Sequence, residues 1–350
     1  LTEMTIDEIK AALKTKEYDF LRNNEHLGKN IILLGLGGSH AYGTEKPDGS
    51  SDIDLRGFAF NAADEILTNM DIDWQVTGEE NSGIDACIYS FMKMMKLLSE
   101  CNPNCVEILG LRPEHYLYVS PVGQELLDNK DMFLSKLVIP KFLGYSSQQL
   151  YRLKQLAADG FDQSELEKHI LHQLERMSKH FMKDYTEFNG YLNLYIDKSK
   201  QEDMDTEIYM DVNIAHYPLR DYCKIWNTWQ NTVKAYKKIG KRNNHANKHE
   251  KMGKHSMQLI RLLDTCADIL EKHEFITYRE AERNEYIAIR NGKYLTEDGK
   301  IKNEFFELVE SKEAYLDELS KKTTLPEYPD YKRINEFVMS VNERVVKGEI

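Results

Sequence analysis

Hydrophobic spacing in the first part of the chain alternates between helical and strand periods. Residues 5–20 follow a 3.6-residue period behind a Thr-x-x-Glu capping box, which predicts an N-terminal helix. The continuous apolar run at 30–36 predicts a buried strand, and strict alternation over 51–60 predicts a second. Residues 84–90 predict a third strand, which leads into a helix at 91–99. Strands and helices with short connections therefore predict a mixed α/β domain up to about residue 140.

The pattern changes after Pro140. Long helical periods predominate at 142–157, 164–185, 221–239 and 255–273. We therefore predict an α+β protein with two domains. Residues 1–140 form a mixed-sheet domain with flanking helices, and residues 141–350 form a mainly helical domain.

Composition narrows the classes of function. The 350 residues carry a net charge of −12, which disfavours a general attraction to nucleic acid or membranes. No apolar run reaches the roughly 18–20 residues of a membrane span, and no signal peptide is visible. The five cysteines are few and odd in number, as expected for reduced thiols in the cytoplasm. Buried thiols are favoured over a zinc site at Cys101, Cys105 and His115.

A glycine-rich segment follows the first predicted strand and invites two phosphate-binding interpretations. A P-loop requires a lysine where this chain has Thr44. A dinucleotide-binding turn requires a small residue where the chain has His40, followed by a helix that Pro47 and Gly49 would break. Neither interpretation fits.

Two aspartates follow this segment. Asp52 and Asp54 are spaced i, i+2, so on a strand they point the same way, about 6–7 Å apart. With Asp85 on a neighbouring strand, three carboxylates would converge into the oxygen-rich site that Mg²⁺ prefers. If Gly38 and Ser39 open a short helix, their amides would receive a triphosphate. A solvated strand face is the alternative.

The same residues carry a family resemblance. Gly38-Ser39, twelve intervening residues and Asp52-Ile53-Asp54 resemble the signature of the DNA polymerase β-like nucleotidyltransferase superfamily. The stretches "GGSHAYGT", "SDIDLRG", "NPNCVEIL" and "GKHSMQLIRLL" resemble more closely a bacterial and phage group that includes RNA-ligase-associated members. The resemblance implies a mixed sheet that bears the site and a helical region that closes over it.

The resemblance also implies residue roles. Asp52 and Asp54 would bind both metal ions, and Asp85 would bind the catalytic ion and help to deprotonate the attacking hydroxyl. Gly38 and Ser39 would contact the terminal phosphates.

Some of these assignments leave alternatives open. Asp85 is preceded by a short strand of unclear register, so Glu79 or Glu80 could take its place. Arg56 shares the face of the aspartates, where it either steers a phosphate or pairs with Asp54.

A basic segment stands out in this acidic chain. Residues 237–255 contain ten Lys, Arg or His residues and one Glu. In helical phase, Lys254 and Arg261 border a stripe of apolar residues, as on a helix that lines a cleft. We expect both to face the triphosphate or the acceptor, with a solvated helix edge as the alternative.

Together these features predict a Mg²⁺-dependent nucleotidyltransferase, with Mn²⁺ as a substitute. It would transfer NMP from an NTP, ATP being favoured, to an acceptor hydroxyl and release pyrophosphate. The basic segment at 237–261 favours RNA as the acceptor. Transfer to a protein or small molecule remains open, as does a catalytically silent sensor that binds nucleotide or RNA. The sequence does not fix the base preference or the oligomeric state.

Overall fold

A computed structural model gives the architecture of most of the chain. It describes residues 5–46, 51–78, 85–157, 191–200, 206–213, 248–296 and 301–350, with residues 171, 218–220, 222–223, 226 and 230. Several sequence predictions lie outside these residues, including Glu79, Glu80, the helix at 164–185 except for residue 171, and the basic segment from 237 to 247.

A five-stranded mixed sheet forms the centre of the N-terminal region, in the order β3-β4-β2-β1-β5. Its strands are β1 (Ile31–Leu36), β2 (Asp54–Ala59), β3 (Gln75–Thr77), β4 (Asp85–Ser90) and β5 (Tyr116–Val119). β2 and β4 run parallel, whereas the other neighbours are antiparallel. The strands expected at 30–36, 51–60 and 84–90 are therefore confirmed as β1, β2 and β4.

One face of this sheet is closed by the N-terminal helices. α1 (Ile6–Ala12) begins at the predicted capping box, in which Thr5 and Glu8 satisfy each other's backbone amides. α2 (Phe20–Asn23) follows a short 3₁₀ turn. Tyr18 and Leu21 from this region pack on the apolar side chains of β2 and β4. The opposite face is therefore the one available for polar chemistry.

Further helices surround the sheet. They are α3 (Gly38–Tyr42), α4 (Ala63–Thr68), α5 (Phe91–Ser99), α6 (Pro103–Val106), α7 (Pro121–Asp128) and α8 (Val138–Ala157). The C-terminal helices are α9 (Lys248–Lys272), α10 (Arg283–Arg290), α11 (Asn303–Lys322) and α12 (Tyr331–Lys347). Together with the mixed sheet they confirm the predicted fold class.

The chain divides into two compact units. The first combines Leu1–Leu153 with His249–Ile350, and the second is Lys154–Lys248. This arrangement differs from the predicted division at residue 140, because the C-terminal helix α12 packs against α4 and α5 beside the sheet. Arg344 of α12, for example, donates to both carboxylate oxygens of Glu125 in α7 at 2.8 and 2.7 Å.

The second unit contains an antiparallel hairpin that the helical prediction for this region did not include. β6 (Tyr191–Lys198) pairs with β7 (Thr206–Asn213) along its full length. The physical reason is the period-2 alternation of Leu192, Leu194 and Ile196 with polar or aromatic neighbours. Among the described residues, no helix has the length and apolar character needed to cross a membrane.

Candidate active site

Two aspartates lie side by side where parallel strands begin. Asp54 opens β2 and Asp85 opens β4, and the strand register pairs the two residues directly. Parallel neighbouring strands begin at the same end of a sheet, so their first residues lie side by side even when they are far apart in sequence. The prediction that Asp85 lies on a strand next to Asp54 is therefore confirmed.

The two carboxyl groups interact electrostatically. Burial and the neighbouring Asp85, through a hydrogen bond and its negative charge, raise the pKa of Asp54 to about 6. Arg56 and Lys254 oppose that shift with their positive charges. Two adjacent carboxyl groups of which one takes up a proton below about pH 6 form a site that favours additional positive charge.

Arg56 sets the state of the second carboxylate. Its Nη1 donates to Asp85 Oδ1 at 2.9 Å and to the Leu55 carbonyl at 2.8 Å. Burial acts to raise the pKa of Asp85, but the hydrogen bond and charge of Arg56 outweigh it and lower that pKa. Of the two roles expected for Arg56, the structure shows an ion pair, and its partner is Asp85 rather than Asp54.

The glycine-rich turn packs against this pair. Gly37 donates its amide to the Asp54 carbonyl at 2.8 Å, and α3 starts at Gly38. Gly38 has φ +56°, and a Cβ there would come within 1.5 Å of Asp54 Oδ2. Only glycine meets both conditions. No side chain caps the first turn of α3, where the half-buried Ser39 follows Gly38.

Asp52 does not join the pair. β2 begins only at Asp54, so the alternation that would align the two residues does not extend back to Asp52. Asp52 is exposed, and its charge acts on Tyr18, which covers the opposite face of the sheet. Within the described ranges, no three His, Cys, Asp or Glu side chains form a group suited to a metal ion. The expected convergence of three acids thus reduces to Asp54 and Asp85.

Lys254 lies within electrostatic reach of both carboxyl groups, whose pKa values its charge lowers. It is exposed on α9, whose predicted apolar stripe is confirmed as buried. That stripe consists of Met252, Leu259, Leu263, Cys266 and Leu270. Lys254 is therefore close enough to act on the acidic pair, and its expected contact with the triphosphate or the acceptor stays a prediction.

Arg261 requires a correction. Its side chain is fully buried, pairs with Glu107 Oε1 at 2.5 Å and lies 3.6 Å from the centre of the Tyr42 ring. The Tyr42 hydroxyl donates to Glu107 at 2.7 Å. A guanidinium enclosed in this way holds α9 against α3, so the prediction that Arg261 faces a triphosphate is wrong for this structure.

Two arginines that the sequence did not single out secure the end of the glycine-rich turn. Arg283 Nε donates to the Gly43 carbonyl at 2.6 Å, and Arg290 donates to the Thr44 carbonyl. Both belong to α10, about 240 residues away in sequence. No local pattern connects them to the turn, so only the fold shows their role.

Comparison with protein families identifies the N-terminal half of this architecture. The model of the RNA repair pathway DNA polymerase beta family, RlaP, matches residues 9–185, just over half of the chain. The chain belongs to the RlaP family. This confirms the resemblance to polymerase β-like nucleotidyltransferases and places the protein broadly among nucleotidyltransferase-type enzymes of RNA repair. Comparisons with curated proteins and with solved structures find no significant match.

The RlaP match covers only part of the candidate site. It includes the turn at Gly38, the strand residues Asp54 and Arg56, and Asp85. Lys254 lies beyond the matched residues, so its place in the site depends on the packing of α9 alone.

Proposed function

We propose that the protein is a divalent-metal-dependent nucleotidyltransferase that transfers NMP from an NTP to a hydroxyl of RNA and releases pyrophosphate. ATP is the first candidate donor. The observation that carries the proposal is the direct pairing of Asp54 and Asp85 beside the glycine turn. The RlaP family supports the reaction class and favours RNA as the acceptor.

The acidic pair fits a Mg²⁺ or Mn²⁺ ion. Mg²⁺ in phosphoryl-transfer sites is commonly held by one or two carboxylates together with substrate phosphates and water. Asp54 and Asp85 would supply the carboxylates, and a bound cation would offset the burial and the negative charge that raise the pKa of Asp54. When bound, such ions neutralise the charge that develops on the attacking and leaving oxygens. Asp52 remains a proposed ligand from the family resemblance alone.

The other side chains would bind and orient the substrates. Lys254 would neutralise the phosphates that leave, and the amides of Gly38 and Ser39 would receive those phosphates. Arg56 keeps Asp85 ionised, as a metal-binding carboxylate must be, and from the family resemblance Asp85 would also help to deprotonate the attacking hydroxyl.

The test is transfer of labelled α-phosphate from each NTP to RNA, protein or small solutes, with Mg²⁺ or with EDTA. We expect metal-dependent labelling of RNA that falls at least about 100-fold in Asp54→Asn and Asp85→Asn. Asp73→Asn is the matched control, because Asp73 is an exposed carboxylate paired at 3.8 Å with Lys96, apart from the site. Full activity in both site variants would overturn the proposal. Nucleotide binding without transfer would support the sensor instead.

A further inference from the structure

The sheet face that holds the acidic pair continues as a polar strip toward the edge strand. The register places Arg56 beside Cys87, and Phe58 beside Tyr89. On the other side of β4, Thr77 pairs with Cys87 and Gln75 with Tyr89. We call the following residues the polar strip: Arg56, Gln75, Thr77, Cys87, Tyr89 and Lys93.

The exposed fraction of the side chains on this face increases from β2 to the edge strand β3. Phe58 on β2 is fully buried, Tyr89 on β4 is partly exposed, and Gln75 on β3 is exposed. On the reverse face Ala86 and Ile88 are buried under the N-terminal helices. The side of β4 that carries the polar strip is thus the side that a ligand can reach.

Lys93 brings a positive charge to the far end of the strip. Its ammonium lies 5.4 Å from the centre of the Tyr89 ring and donates to the neutral Gln75 amide at 3.3 Å. Within the described part of the chain, no carboxylate forms an ion pair with Lys93. Lys96, one turn further along α5, pairs with Asp73. In a chain of net charge −12, a lysine that lies over an aromatic ring and has no carboxylate partner among the described residues suits an anionic ligand.

The dimensions of the strip suit a strand of nucleotides. Asp85 and Tyr89 are four residues apart on one strand, which corresponds to about 13 Å. Stacked nucleotides rise by about 3.4 Å each, so more than one fits between the acidic pair and Lys93. An aromatic ring with a nearby lysine is the combination that proteins use for single-stranded nucleic acid.

We propose that the polar strip binds the end of a single-stranded RNA acceptor. The acceptor hydroxyl lies at Asp54 and Asp85, a base contacts the Tyr89 ring, and a backbone phosphate pairs with Lys93. This inference rests on the proposed function and specifies where its acceptor lies.

The test is the affinity of the full chain for a fluorescently labelled single-stranded RNA, measured by anisotropy without NTP over a range of salt concentrations. Tyr89→Ala should weaken binding about 5- to 100-fold, whereas Tyr89→Phe, which keeps the ring, should bind as the wild type does. Lys93→Met should weaken binding and reduce the slope of log K against log salt by about 0.7. Lys96→Met is the matched control on the same helix and should change the slope less.

The outcomes separate this inference from the proposed function. If labelled phosphate reaches RNA while Tyr89→Ala and Lys93→Met bind RNA normally, the strip is wrong and the function stands. If RNA binding depends on both residues but no transfer occurs, the strip is supported and the function fails. If the wild type does not bind single-stranded RNA, the strip is overturned. Melting temperatures equal to the wild type's identify variants whose fold is intact.

Discussion

Gly38 lies directly against the carboxyl group of Asp54, with no room between them for even one further carbon atom. The contact joins the start of α3 to the start of β2, two elements that the family signature places in one motif. Position 38 is glycine for two reasons, since its φ of +56° also disfavours any side chain. The spacing of the motif therefore reflects direct packing on the acidic pair.

Gly38→Ala should displace Asp54 and impair the site more than the fold. We expect transfer activity to fall about 100-fold, because displacements near 1 Å have that effect on positioned groups. The free energy of unfolding should fall by at least about 1 kcal/mol. Gly144→Ala is the control, since a Cβ there meets nothing within 4 Å and α8 should become slightly more stable. Normal activity in Gly38→Ala would show that the contact is dispensable.

The raised pKa of Asp54 makes a prediction about pH. The folded state keeps the Asp54 proton up to about pH 6, whereas the unfolded state releases it near 3.8. This group therefore stabilises the protein least above pH 6, and its contribution grows as the pH falls toward 3.8. The difference corresponds to at most about 3 kcal/mol.

Asp54→Asn should remove this dependence. In EDTA at pH 8 the variant should melt several degrees above the wild type, and the advantage should shrink as the pH approaches 4. Asp52→Asn, which alters an exposed carboxylate two residues earlier, serves as the control. The comparison is made by thermal melting across pH. An Asn variant that melts below the wild type at pH 8 would contradict the destabilisation inferred from the burial of Asp54 and its repulsion by Asp85.

Much of the catalytic fold was predictable from local pattern. The run at 30–36 and the alternation at 51–60 gave the strands that flank the turn, and the apolar stripe on α9 was buried as expected. These patterns depend only on residues that are close in sequence, so they can be recognised without knowledge of the tertiary structure. The β6–β7 hairpin carried the same kind of signal in its alternating residues.

The sequence predictions that failed concern residues whose positions depend on long-range packing. Helical phase placed Arg261 next to Lys254, but it could not show that Glu107 and Tyr42 would enclose Arg261. Likewise, the spacing of Asp52 and Asp54 implied a common face, which requires the strand to include both residues. A charged residue at the border of an apolar stripe can be buried in the core or can face a cleft. Which of the two occurs depends on the residues that other elements place around it.

Arg261→Met should test whether this arginine is structural. Removing one partner of a buried ion pair leaves Glu107 charged and enclosed, so the free energy of unfolding should fall by about 3–5 kcal/mol. Lys251→Met, at an exposed position on the same helix, should change it by less than about 0.5 kcal/mol. Chemical denaturation measures both. A stable Arg261→Met protein with a raised KM for NTP would instead restore the phosphate contact.

The close approach of α9 and α10 gives a last prediction about Lys254. A Cβ on Gly253 would lie 2.0 Å from the Arg290 carbonyl oxygen, and Arg290 also holds the Thr44 carbonyl. Gly253→Ala should therefore push α9 away from α10 and move Lys254 relative to the acidic pair. We expect the KM for NTP to rise several-fold, as in Lys254→Met, with destabilisation of about 1–3 kcal/mol.

If Lys254→Met leaves KM unchanged while Gly253→Ala raises it, the alanine acts through the Thr44 loop rather than through the lysine. Kinetics of the two single variants and of the double variant distinguish these routes, because effects that share Lys254 will not add.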